Sequence, residues 1–181
     1  MKPVRNPSPA CAPRPVARGF TAIELLVVIG VLGVLFALAL PSFQSLFERF
    51  RVRQTVEGLQ STMYYARSEA IKRGGNVVVA KQTCSGGNDI WNCGWVVCTS
   101  TNGNCGANST LLQQFDTPVN IDVRRSTSST SIQFDRWGLP DKPFGFSVMP
   151  TNRGINDPVA RGVCMSSAGR VIISENPPCS P

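Results

Sequence analysis

The chain has 181 residues, a formal charge of +7, seven cysteines and no histidine. That length holds one globular domain plus an accessory segment. The lack of histidine excludes imidazole acid/base and nucleophilic chemistry, and no SxxK, GxSxG or P-loop pattern is present, so the residues indicate no enzyme.

Residues 1–19 are proline-rich, have no hydrophobic periodicity and read as a processing segment. They hold Cys11 and four cations, Lys2, Arg5, Arg14 and Arg18, with no acid among them; without those four the charge is +3. Such a basic stretch before an apolar run speaks for membrane orientation rather than nucleic acid, because Lys and Arg stay on the cytoplasmic side. The run from Phe20 to Leu40 is apolar apart from Thr21, Glu24 and two glycines. As a helix it is about 31 Å long, enough to cross a bilayer core, so residues 20–40 are expected to be a transmembrane helix.

Glu24 is the informative residue of that run. An acid near the middle of a membrane helix costs about 2.5–3.5 kcal/mol, less near an end, and an intramembrane acid is a functional candidate with a partner to be found. A cut before Phe20 supplies one: a new α-amino group four residues away, at a helix end where negative charge is favoured. An ordinary secretory cleavage after Ala37-Leu38-Ala39, before Leu40, is the alternative. It leaves Glu24 unexplained.

Pro41 then interrupts the helical pattern and is expected to kink it. Residues 41–75 continue as an amphipathic helix. Val52, Val56, Leu59, Met63, Ala66 and Ala70 recur alternately four and three apart, on one face. Phe43, Leu46, Phe47 and Phe50 carry the apolar character back toward the anchor, out of perfect phase, and Gly74-Gly75 ends the helix.

Residues 76–181 change to short runs rich in Val, Ile, Phe or Trp: 76–83, 94–99, 111–115, 119–124, 131–136, 144–149, 162–166 and 170–174. Gly, Asn, Ser, Thr and Pro clusters separate them, which predicts strands and turns. Seven or eight short strands after one long helix imply an α+β domain, with antiparallel sheets covering the helix's apolar face. If the N-terminus is cytoplasmic, this domain is outside the cytoplasm, where disulfides persist. Cys84, Cys93, Cys98, Cys105, Cys164 and Cys179 then read as up to three bridges among fifteen connectivities. Sequence-local pairing suggests Cys84 with Cys93, Cys98 with Cys105, and Cys164 with Cys179. Zinc is disfavoured because there is no histidine and no CxxC pair. Asp116, Asp122, Asp135 and Asp141 fit no EF-hand spacing, and no metal or cofactor is expected. Trp91, Trp95 and Trp137 are candidate stacking platforms, although aromatics at strand positions are usually core.

Arg18-Gly19-Phe20-Thr21-Ala22-Ile23-Glu24, followed at once by an apolar helix, resembles the class III signal of type IV pilins and pseudopilins. The resemblance implies cleavage between Gly19 and Phe20 by an inner-membrane prepilin peptidase, N-methylation of Phe20, and alignment of incoming subunits by Glu24. It also implies a single-pass inner-membrane protein with a periplasmic C-terminal domain, whose partners are other pilins or pseudopilins. Further on, Ala66 to Arg73, Gly94-Trp95-Val96-Val97, Phe134-Asp135-Arg136-Trp137-Gly138 and Gly169-Arg170-Val171 are similar to segments of the GspH/FimT family. Its members are minor components of type IV pili or of type II secretion pseudopili, and some act in DNA uptake. The DNA-binding ones share a C-terminal Gly-Arg-x-Arg motif; here Arg170 is present and Ile172 stands at the second arginine. Arg153 and Arg161 add charge on the adjoining segment, so weak DNA binding through Arg170, Arg161 and Arg153 is the alternative function.

Overall fold

The computed structural model describes residues 19–84 and 91–179, apart from the side chains of residues 39–42. Most of the expected leader, with Cys11 and the four cations, lies outside the described residues, as does the side chain of Pro41. The chain divides into two compact units, residues 1–42 and 43–181.

Helix α1 runs from Ala22 to Arg73, two residues later at its start than the apolar run. The reason is a cap: the Thr21 hydroxyl accepts the Glu24 N–H at 3.3 Å, and the Thr21 carbonyl accepts Leu25 N–H at 3.2 Å. A Thr with a Glu three residues on is the sequence signature of an N-terminal capping box. At the other end Gly74 has φ +74°, and Gly75 N–H closes back on the Ala70 carbonyl at 2.8 Å. That is a Schellman C-cap, which requires the left-handed conformation glycine adopts without steric cost. Among the described residues no single helix is long and apolar enough to cross a membrane; Ala22–Leu38 and Phe43–Arg73 satisfy length and composition only as a pair. The run expected over 20–40 is thus described only as far as Leu38 in side-chain detail.

In the second unit, eight strands follow: β1 (Val77–Lys81), β2 (Trp95–Thr99), β3 (Thr110–Phe115), β4 (Ile121–Arg125), β5 (Ser131–Phe134), β6 (Phe144–Pro150), β7 (Arg161–Met165) and β8 (Val171–Ser174). They form two four-stranded sheets, ordered β3-β2-β1-β5 and β4-β6-β7-β8, with every pairing antiparallel. Expected strand ends move where the backbone turns. Asn120 adopts φ +64°, so β4 begins at Ile121 rather than Val119. Gly94, at φ +103°, lies against the Phe115 carbonyl, where a Cβ would collide, so β2 starts after it.

The predicted helical face is the buried one: Val52, Val56, Leu59, Met63, Ala66 and Ala70 join one hydrophobic cluster with both sheets. Alternation selects the inward strand residues, Val77 and Val79 of β1, Val97 of β2, Ile132 and Phe134 of β5, and Phe144, Phe146 and Val148 of β6. Trp95 stacks on Phe115 with ring centroids 4.5 Å apart, and its indole N–H donates to Thr62 Oγ1 at 2.9 Å, so its one polar atom is satisfied. Trp91, in a single 3-10 turn (Trp91–Cys93), meets Phe146 edge-on at 4.9 Å. Both tryptophans are core.

The structure pairs Cys84 with Cys93, Cys98 with Cys105, and Cys164 with Cys179, with Cα separations of 5.6–5.8 Å. The last bridge spans 15 residues, and a loop of that size stabilises a fold by about 3 kcal/mol through the unfolded chain's lost entropy. It draws the C-terminal tail across β6 and β7, where Gly145 and Gly162 leave room for Cys179.

Candidate functional site

Three groups of residues stand out from the fold's own requirements. In the first unit, Gly19 and Phe20 precede the capped end of α1, and Phe20 is 82% exposed. From Ile23 to Leu38 the helix shows exposed apolar side chains on every side. Glu24 is the one carboxylate among them, in the first turn. A helix that is greasy all round is stable only in lipid or among other helices, and the helix dipole favours a carboxylate at its N-terminal end. Thr21, which the sequence analysis passed over as a polar interruption, fixes where that end is.

The second group is in the second unit, at the start of its helical segment. Phe43, Leu46, Phe47 and Phe50 follow the i, i+3, i+4, i+7 spacing of one helical face, and all four are exposed. They are out of phase with Val52 to Ala70 because they belong to a different face. The spacing was readable in the sequence as a second stripe.

The third group is the arginines. Arg153 is engaged: it pairs with Glu48 at 2.7 Å and Asp157 at 3.2 Å. Asp157 is held below the usual carboxylate range, chiefly by the Val159 backbone N–H, with Arg153 assisting. Arg161 Nη1 donates to the carbonyls of Pro158 and Ala160, each at 2.8 Å. Arg170 is exposed at the opposite end of the β7–β8 hairpin, since β8 pairs Ser174 with Gly162 and Val171 with Met165. Five residues of extended strand, roughly 17 Å, separate Arg161 from the Arg170 level. The structure does not gather Arg153, Arg161 and Arg170 into one patch.

What it does gather near Arg170 is different. Arg67 on α1 donates to the Gly169 carbonyl at 3.0 Å, and its stem packs where a Cβ on Gly138 would sit, 2.5 Å from Cγ. The turns 135–139 and 166–170 therefore meet over one helix position. Asp135 Oδ1 accepts the N–H groups of Trp137 and Leu139, each at 2.8 Å, and this braced turn leaves Trp137 71% exposed. The general expectation that the tryptophans are core fails at this one, because Trp137 is in a turn and not on a strand. Among the described residues no group of three or more Cys, Asp or Glu side chains is arranged to hold a metal ion.

Comparison with known proteins agrees with this arrangement. The family model described as Type II transport protein GspH matches residues 55–169. The pilin-like protein PilA1 of Thermus thermophilus is 31% identical over 161 residues, covering 84% of this chain and 96% of that one. The type IV major pilin protein PilE1 of Neisseria gonorrhoeae is 43% identical over 53 residues, 26% of this chain and 32% of that pilin. Among solved structures, the type IV minor pilin FimU of Pseudomonas aeruginosa has the same fold, with a TM-score of 0.58 at 20% identity over 70% of this chain and 90% of FimU.

Proposed function

Because this chain belongs to the GspH family of pilin-like proteins, we propose that it is made as a precursor, cut between Gly19 and Phe20 and methylated on the new Phe20 amine. It is a structural subunit and not an enzyme. In our reading it is a minor pilin or pseudopilin, held in the inner membrane by a single pass over residues 20–40, with its disulfide-bonded domain in the periplasm. The single observation that carries this reading is Glu24 in the first turn of a helical stretch, residues 22–38, whose other side chains are apolar and exposed. Within a filament of such helices, the carboxylate of one subunit neutralises the methylated amine of a neighbour, and both charges escape the cost of isolated burial. The basic leader supports the orientation, and three bridges support an oxidising compartment. Intact-mass spectrometry of the membrane-extracted protein tests it. The expected chain starts at Phe20 and is one methyl group heavier than its sequence; a chain starting at Leu40 overturns the reading.

A second reading, weak DNA binding in a DNA-uptake role, is favoured by one observation. Arg170 is exposed, and its guanidinium makes no hydrogen bond or ion pair among the described residues. Arg153 and Arg161 contribute less, being held by Glu48, Asp157 and backbone carbonyls. The expected outcome is a mobility shift of duplex DNA at low salt that Arg170→Ala removes and Arg153→Ala leaves largely in place. No shift, or one indifferent to Arg170, ends this reading.

A further inference from the structure

Of the four sheet edges, two are occupied. On β4 the Asn92 side-chain carbonyl takes the Val123 N–H at 2.6 Å. On β5 the Gln133 carbonyl takes Asp141 N–H at 2.9 Å, and Phe134 bridges to Pro140. β3 and β8 are left as outer strands.

Hydrogen-bond alternation fixes which β8 groups face outward. The hairpin closes on a bonded pair, with Ser166 N–H on the Arg170 carbonyl at 3.0 Å. Bonded and non-bonded pairs alternate along an antiparallel ladder. Cys164/Ile172 and Gly162/Ser174 are therefore bonded, in the register observed. The N–H and C=O groups of Val171 and Ile173 point away from β7, and no hydrogen bond reaches them among the described residues. Ile172 and Ile173 beside them are 44% and 43% exposed. An apolar outer strand with unpaired backbone groups is a template for another strand.

Beside this edge a groove of about 600 Å³ opens between β8 and α1, where the sheet stops short of covering the helix. Ile173, Val52 and Val56 form its apolar walls, and Arg49, Arg53 and Arg161 line it beside the single carboxylate of Glu57, which Arg53 meets at 2.8 Å. Cys179 is tied to Cys164 over the opposite face of β6 and β7, away from the groove.

We propose that β8 and this groove together receive an extended segment of a second polypeptide, paired to β8 as a fifth strand, whose groove-facing side chains, every second residue, are apolar and acidic in turn. The backbone groups of Val171 and Ile173 give the pairing, apolar side chains cover Ile173, Val52 and Val56, and carboxylates meet Arg49 and those N–H groups of Arg161 that the Pro158 and Ala160 carbonyls leave open. This contact involves the globular domain and is independent of α1 packing against neighbouring helices. Ile172 makes the edge suited to a polypeptide rather than to a phosphate backbone.

The test uses the full chain in detergent micelles and a short fluorescein-labelled peptide repeating valine, threonine, glutamate, threonine, which puts valine and glutamate on one face of a strand, read by anisotropy against empty micelles. The same peptide with a central proline, and its valine–lysine counterpart, are expected to bind at least about tenfold more weakly. Hydrogen exchange at the Val171 and Ile173 amides should slow in the complex. Ile173→Pro removes an outward N–H that no ladder bond uses and should weaken binding about tenfold. Arg49→Glu should abolish the preference for glutamate over lysine, which keeps the test decisive if the proline variant misfolds. Equal binding of the proline-interrupted peptide, unchanged exchange at both amides, or no binding of the valine–glutamate peptide overturns the proposal.

Discussion

At the scale of single residues, much of the sequence's meaning lies in what each side chain displaces. Gly58 is on the buried face of α1, where a Cβ would run into the Phe115 ring. That ring is stacked on Trp95, whose indole is tied to Thr62, so it has little freedom to retreat. Alanine in place of a helical glycine ordinarily gains about 1 kcal/mol, whereas overpacking a fixed core costs about 1–3 kcal/mol. Gly58→Ala is therefore expected to destabilise by up to about 2 kcal/mol net, read as a lower midpoint in urea, while Gly30→Ala in the exposed part of the helix leaves that midpoint unchanged. Glu24 gains a second role by the same reasoning. It occupies the capping position that accompanies Thr21, so part of its presence follows from helix initiation, and its charge carries the rest.

At the scale of elements, the C-terminal turn of α1 is held by a carboxylate. Glu69 meets Arg73 at 2.6 Å and Lys72 at 3.3 Å, and the bond from Arg73, helped by Lys72, holds its carboxyl below the usual range although partial burial opposes this. A lowered carboxyl pKa gives stability that is complete above the unfolded value, near pH 4, and is lost as pH falls through the folded one. Asp116, with Gln114 and Gln82, and Asp157 act in the same direction. The thermal midpoint is expected to stay level from about pH 6 to 5 and to drop below about pH 4, less steeply in Glu69→Gln. Element identity was largely legible: the four-and-three spacing from Val52 to Ala70 can bury only one face, and each strand has turn residues at both ends. Which strands become neighbours was not legible. β1 lies between β2 and β5, and β4 joins β6, pairings that depend on distant segments meeting over the helix. The same limit applied to the arginines. The Glu48 partner of Arg153 comes from the other end of the domain, so its charge looked free in the sequence.

At the scale of the whole molecule, one helix carries two apolar faces. Val52 to Ala70 are buried by the subunit's own sheets, while Phe43, Leu46, Phe47 and Phe50 are left uncovered by them. Substitutions at the first set act on stability; Leu59→Ala, with no exposed surface, is expected to cost about 2–5 kcal/mol. Substitutions at the second set are expected to act on partners instead. Phe47 is 58% exposed and contributes nothing to the core cluster, so Phe47→Ser should leave the unfolding midpoint within about 0.5 kcal/mol of the parent. If neighbouring helices cover this stripe in the filament, the same substitution should sharply reduce the subunit's recovery in a sheared filament fraction. Cleavage at Gly19 would be untouched, because Phe47 is far along the chain from the processing box. A variant that is stable, processed and absent from filaments would separate the assembly face from the folding face. A variant that assembles normally would restrict the contact to the apolar residues before Leu38.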